Sequence, residues 1–344
     1  MLSIRTSILH LAILLLVAPL MALGADGGGA TTPLEIPGGG GVIGLDDIGF
    51  ARSLHRVLVP AGRTGNLDLI DPDTMTVTSI GGFSTAPAKG GGLGQGITSA
   101  DEGGGFLFAI DRTAKRLDVI DPKTRSIAAW APLASGPDYV RFSALTSEVW
   151  VTEPHEQRIE VFSLSKGSAP KPSHAAFIEL PAGPEALLID NARGRAYTNL
   201  RTDTTLAIDL KSRKIAARWK NACAGSNGLA SDALRGFLFV GCREGKLSVL
   251  AMDSGKQLGS ASSGAGVDIV AYNPRLAHVY LPGAASATMA VVGIAGNGTP
   301  AVLGVVATAK YAHCVAADDK DRAYVCDPAA GRILVYADKF PASR

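Results

Sequence analysis

Six polar side chains recur along this chain at a nearly constant interval: Asp47, Asp138, Glu185, Asn227, Asp268 and His313. With Gly96, beside Gln95, in the remaining slot, successive positions lie 41 to 49 residues apart. Each stands just ahead of an apolar stretch, so a chain that repeats one structural unit must bring all of them to equivalent places. Carboxylates, an amide and an imidazole around one axis offer the oxygen donors that a hard cation such as Ca²⁺ takes. Asp47, Asp138, Glu185, Asn227 and Asp268 are the candidate metal ligands, and Ca²⁺ is the one cofactor the pattern suggests. A cation held there would polarise a substrate carbonyl as a Lewis acid. The simpler reading is a hydrated polar channel whose side chains accept hydrogen bonds from neighbouring amides. Gly136, Gly183, Gly225 and Gly266, each two residues ahead of a ring member, fit that reading as parts of a recurring crossover turn.

A second polar set comprises Arg63, Asp111, Arg112, Glu153, His155, Arg201, Asp203, Arg243 and Asp327. Its mixed charge suits a small polar ligand or a peptide, with Arg112 and Arg243 as ligand-binding candidates. It also suits an ordinary wet surface. His155 and His313 are the histidines expected near this face, which makes them the acid–base candidates. His55 and His278 are expected on the opposite face in structural roles.

The elements that must position these residues are short strands. Behind each ring position, after a turn, comes an apolar run such as Val57-Leu58-Val59-Pro60; the others lie at 107–110, 149–152, 196–199, 238–241, 279–282 and 323–326. A period of this length built from strands and turns marks a propeller blade. The fourth unit reads as strands at 186–189, 195–199, 204–209 and 214–219. The expected fold is therefore all-β: a seven-bladed β-propeller with four-stranded blades. Ile70-Asp71-Pro72-Asp73-Thr74, Ile120-Asp121-Pro122-Lys123-Thr124 and Ile208-Asp209-Leu210-Lys211-Ser212 are its third-to-fourth turns. Their Asp caps the turn and their Pro presets its dihedral, so these aspartates are expected to be structural. Thr32-Pro33-Leu34-Glu35-Ile36-Pro37 echoes Ala176-Phe177-Ile178-Glu179-Leu180-Pro181, an outer strand, while the last repeat (313–336) holds three strands only. The N-terminal strand is thus expected to close the last blade, with Gly38 to Gly41 as a flexible crossover.

The runs Leu-Phe-Val-Gly, Val-Tyr-Leu-Pro and Val-Trp-Val-Thr, with the Asp-Pro-x-Thr-like turns that follow third strands, resemble the YVTN-repeat propellers, which include YncE-like secreted proteins. The resemblance spans essentially all of the chain beyond its leader and implies a fold rather than an activity. The Asn that usually ends the run is kept only at Asn199.

Residues 8–20 form an apolar run after Arg5, and Ala22, Gly24 and Ala25 follow. That is the pattern of a signal peptide over 1–25, leaving 26–344 as a single propeller domain without a stable membrane anchor, periplasmic or secreted. Four cysteines in an exported chain point to disulfides. Repeat register pairs Cys223 with Cys242 and Cys314 with Cys326, each pair within one blade; no C-x-x-C spacing favours a metal instead. The net charge of +2, with Lys and Arg scattered, supplies no basic field for nucleic acid. The glycine-rich stretch from Gly90 to Gly96 lacks the following helix of a nucleotide loop, and neither Gly-x-Ser-x-Gly nor His-Glu-x-x-His occurs.

These readings converge on an exported, monomeric propeller that binds a protein, peptide or small ligand on its funnel face and needs no catalytic group. The alternative is a metal-dependent hydrolase, such as a lactonase, with its site at the channel mouth.

Overall fold

Each apolar run becomes the second strand of a four-stranded antiparallel sheet, and there are seven such sheets. The computed structural model describes residues 29–87, 94–167 and 169–343. The expected signal peptide at 1–25 and residues 90–93 of the glycine-rich loop lie outside them. Second strands read as unbroken apolar runs because both of their faces are covered by neighbouring blades. Glu148–Glu153 and Phe237–Cys242, for example, are buried at every position. Outer strands alternate instead: Ser126–Pro132 and Ile215–Lys220 expose every second residue. Trp150, on a second strand, is wholly enclosed, whereas Trp130 on an outer strand is 59% exposed.

Side chains of adjacent blades interlock to form the core. Leu58, Leu67 and Leu69 of blade one pack on Ile97, Leu107 and Ala109 of blade two. Phe239 and Val249 of blade five meet Val279, Ala290 and Val292 of blade six. Burying each Leu, Ile, Val or Phe among them contributes about 1.5–3 kcal/mol. No blade covers its own two faces, so the ring must close for all of that area to be lost to water.

Closure is supplied by the first strand. Thr32–Glu35 pairs antiparallel with Arg332–Ala337 in the register Thr32 to Val335 and Glu35 to Arg332, and completes blade seven. The crossover after it is held in place rather than left loose. Arg63, itself buried, donates from Nε to the Val42 carbonyl at 2.6 Å and from Nη2 to that of Gly40 at 3.1 Å.

The turn aspartates serve the backbone. Asp71 Oδ1 accepts from the amides of Asp73 (2.9 Å) and Thr74 (3.2 Å), and Asp209 Oδ1 accepts from Ser212 at 2.8 Å. Those backbone hydrogen bonds hold both carboxyls below the usual carboxylate range. The cysteines pair as expected, Cys223 with Cys242 and Cys314 with Cys326, with Cα atoms 5.2 and 5.5 Å apart. In the chain-entropy model each short loop contributes on the order of 3 kcal/mol.

Candidate functional site

The pairing of first and second strands decides which side chains reach the channel mouth. Leu58, Trp150, Tyr197, Phe239, Tyr280 and Tyr324 hold equivalent places and face Gly49, Arg141, Leu188, Ala230, Ala271 and Ala316. Three residues ahead of those partners stand Asp46, Asp138, Glu185, Asn227, Asp268 and His313. In blade two Phe108 faces Asp101, which makes Thr98 the equivalent residue. Two expected members therefore sit elsewhere.

Asp47 turns away from the mouth into the channel interior. Arg141 grips it with two hydrogen bonds, Nη1 to Oδ2 at 2.6 Å and Nη2 to Oδ1 at 2.9 Å, and Ser99 Oγ donates to Oδ2 at 2.5 Å. Adjacent residues of an extended chain point to opposite sides, so one residue of register exchanges Asp47 for Asp46. Gly96 is displaced by a bulge between Ile97 and Ser99. At φ +71°, a Cβ on it would lie 2.2 Å from the Gly62 carbonyl, so only glycine fits that backbone crossing. Of the glycines expected in the crossover turns, Gly183 and Gly266 are likewise hemmed in by backbone, while Gly136 has open space.

The polar groups of the mouth fall into two kinds. Arg112 Nη2 contacts Asp138 Oδ1 at 2.5 Å and Asp46 Oδ2 at 3.3 Å, and its Nε donates to the Pro137 carbonyl at 2.9 Å. Arg201 pairs with Glu185. By contrast, the side chains of Arg243 and Asp268 make no hydrogen bond or ion pair among the described residues. Asn227 spends its amide on the next blade, donating from Nδ2 to the Val267 carbonyl at 3.2 Å. Asn199 does the same work at the preceding junction, donating to the Asn227 carbonyl at 2.6 Å.

Crowding of carboxylates shapes the electrostatics. Burial raises Asp46, Asp138 and Glu185 above the usual carboxylate range, Asp138 well above it. Burial, with the repulsion of Asp46 added, pushes Asp268 up to about 7. Desolvation and like charge both favour the protonated form, or a bound cation that would offset the charge.

Two clefts open on this face. One, of about 400 Å³, is lined by Arg112, Asp138, His155, Gly183 and Arg201. The other, of about 730 Å³, is lined by Glu185, Arg201, Asn227, Arg243, Asp268 and His313. Arg201 forms the wall between them. His155, exposed on the turn Pro154–Glu156, and His313 thus lie in different clefts and do not form a pair.

Solved structures share this architecture at low identity. A chain in "Crystal Structure of Mitotic Checkpoint Complex" superposes with a TM-score of 0.73 at 12% identity, covering 97% of this chain and 99% of that one. The β-propeller domain of Myceliophteria thermophila Cps50 (Swd1) gives 0.69 at 12% identity, covering 89% and 99%. Kuenenia stuttgartiensis hydrazine synthase gives 0.68 at 11% identity, covering 87% and 96%. The fold is a seven-bladed β-propeller. No protein-family model and no curated protein matches the chain.

Within this propeller, several members of the second polar set act on the backbone. Asp111 accepts from the amides of Ser84 (2.6 Å) and Ala114 (2.9 Å), and Glu153 from Ser135 (2.7 Å). Asp327 accepts from Ala330 at 3.2 Å. His278 is buried between Asp338 (2.8 Å) and the Pro341 carbonyl (3.1 Å). The residues left for a ligand are Arg112, His155, Arg201, Arg243 and the ring. Asp46 is the member that sequence reasoning passed over. Counting back from the run at 57–60 with the offset shared by Asp138, Glu185, Asn227 and Asp268 would have found it.

Proposed function

We propose that this chain is an exported binding propeller, of the YVTN-repeat kind, that takes a charged peptide segment or a small zwitterionic ligand in the larger cleft of its mouth. The observation that carries the reading is the pair of unpartnered opposite charges in that cleft, Arg243 and Asp268. Asp268 is half-buried and without a partner, which costs free energy that a complementary ligand recovers, while the exposed Arg243 stands free to meet the ligand's opposite charge. Arg243 suits a carboxylate or phosphate through its planar fork, and Asp268 with Glu185 suits an amine or guanidinium. One structure of low identity, a chain of the mitotic checkpoint complex, comes from an assembly, which agrees with a recognition role. Two disulfides, and the absence of any helix long and apolar enough to cross a membrane among the described residues, agree with export.

Thermal-shift and calorimetric titration against a panel of amino acids and charged dipeptides tests this. The expected result is a ligand that stabilises the wild type and no longer stabilises Arg243→Ala or Asp268→Asn. A panel ligand that binds both variants as well as wild type, or a panel without any binder, would count against the cleft. The hydrolase alternative depends on a bound cation, for which the mouth offers a specific donor set.

A further inference from the structure

One nitrogen at the mouth is enclosed and has nothing to bond to. His313 is 7% exposed, and its Nδ1 lies 2.7 Å from the Tyr311 carbonyl oxygen. A carbonyl only accepts, so Nδ1 carries the hydrogen and Nε2 of the neutral ring presents a lone pair. Nε2 is buried without a hydrogen-bond partner. Asp46 and Asp268 each place an oxygen such that all three ligand atoms lie within 4.8 Å of one another. Yet no ion pair within 4.0 Å joins His313 to either carboxylate among the described residues.

We propose that Asp46, Asp268 and His313 hold a divalent ion of the Zn²⁺ class. Two carboxylates and a neutral imidazole balance a double positive charge. Imidazole nitrogen favours Zn²⁺ and its neighbours in the transition series over Ca²⁺, which takes oxygen alone. Ligand atoms on one tetrahedral ion stand roughly 3.3 Å apart, so small side-chain rotations close the site. The supporting contacts are those such sites use. The Tyr311 carbonyl fixes the tautomer of the ring, and Arg112 holds Asp46 by Oδ2 alone, leaving Oδ1 free. The Ile269 amide donates to the His313 carbonyl at 2.9 Å and ties the two ligand segments together. Three protein ligands leave a fourth position open toward the cleft that Asp268 and His313 line.

The site differs from the oxygen-only ring read from the sequence in two ligands, Asp46 and His313, and in the class of ion. It stands whether or not the cleft takes an organic ligand, because its test reads the metal alone. Full-length mature protein, stripped with chelator and dialysed, is titrated with Zn²⁺ by calorimetry and with Co²⁺ by visible absorption. The expected result is about one equivalent bound, with Co²⁺ bands that Ca²⁺ does not abolish. Loss of one ligand should weaken binding by more than the roughly 100-fold seen when an outer hydrogen-bond partner is removed. His313→Ala and Asp46→Asn should each do so; Asp46→Asn, at a half-buried position, serves if His313→Ala fails to fold by circular dichroism. His55→Ala is the control, since His55 lies 3.3 Å from both Asp73 and Asp319 and is the rival surface site. Absence of Zn²⁺ binding, binding that survives the ligand variants, or binding lost in His55→Ala would overturn the proposal. Displacement of Co²⁺ by Ca²⁺ would overturn the class of ion.

Discussion

The two halves of the channel mouth stand on the same scaffold and leave their charges in opposite conditions. On blades two to four, Arg112 neutralises Asp138 and reaches Asp46, and Arg201 neutralises Glu185. On blades five to seven, Arg243, Asp268 and Nε2 of His313 stand without side-chain partners among the described residues. The backbone positions are equivalent, so fold symmetry does not account for the difference. What differs is the residue that follows the second strand: Arg112 reaches the ring members of neighbouring blades and Arg201 that of its own, whereas Arg243 reaches none. Symmetry sets where a polar group stands; pairing sets whether it is available.

The severest test of that contrast lies just beneath the mouth, where the partly exposed Arg141 holds the buried Asp47. Arg141→Ala strands Asp47 in the interior and should cost about 3–5 kcal/mol, read from urea or thermal unfolding. A loss below about 1 kcal/mol would mean that the interior pair is as dispensable as a rim charge. A buried carboxylate without a cation gives the converse case. Asp68 is wholly buried, accepts from Ser79 Oγ at 2.5 Å, and is pushed up to about 6 by burial. Its folded value lies above its unfolded one, so its contribution to stability is fully present below about pH 4 and is lost as pH rises through about 6. Asp68→Asn should remove that loss, so the variant gains on wild type by about 2 kcal/mol between pH 4 and 7.5. Parallel stability profiles for the two proteins would sink the assignment. The smallest effects compare the halves directly. Arg201→Ala leaves Glu185 unpaired and should cost about 1 kcal/mol, given the exposure of the arginine. Arg243→Ala breaks no side-chain hydrogen bond or ion pair among the described residues and should stay within about 0.5 kcal/mol. Equal losses in the two variants would erase the distinction.

The fold was legible because a period near 45 residues survives large changes of side chain. The run at 57–60, the echo of Thr32–Glu35 in the third blade and the placement of each cysteine at a strand end all depend on spacing alone. The ring was less legible because its membership turns on single residues. Asp46 and Asp47 are neighbours of like type ahead of a three-residue strand, Gly49–Ala51, too short for alternation to show which one faces the axis. In blade two the bulge at Ile97 adds a residue that no hydrophobic pattern records. One signal did exist. Arg141, between Val140 and Phe142 in an inner strand, is a charge that calls for a counter-ion near the axis, and the buried Asp47 is that ion. Ion pairs such as Arg112 with Asp138 depend on side-chain reach and could not be read from spacing.

The closing of blade seven by Thr32–Glu35 sets an order of events as well as a shape. Asp46 and His313 come from opposite ends of the chain, and only the return of the first strand to the last three makes them neighbours. As the polypeptide emerges from its N-terminus, Asp46 exists from the start and waits for almost the whole sequence before its companions arrive. The part of the mouth where blades one and seven meet is therefore completed only when the last strands of the chain are present. A partly made chain carries Asp46 without the neighbours that blade seven brings to it.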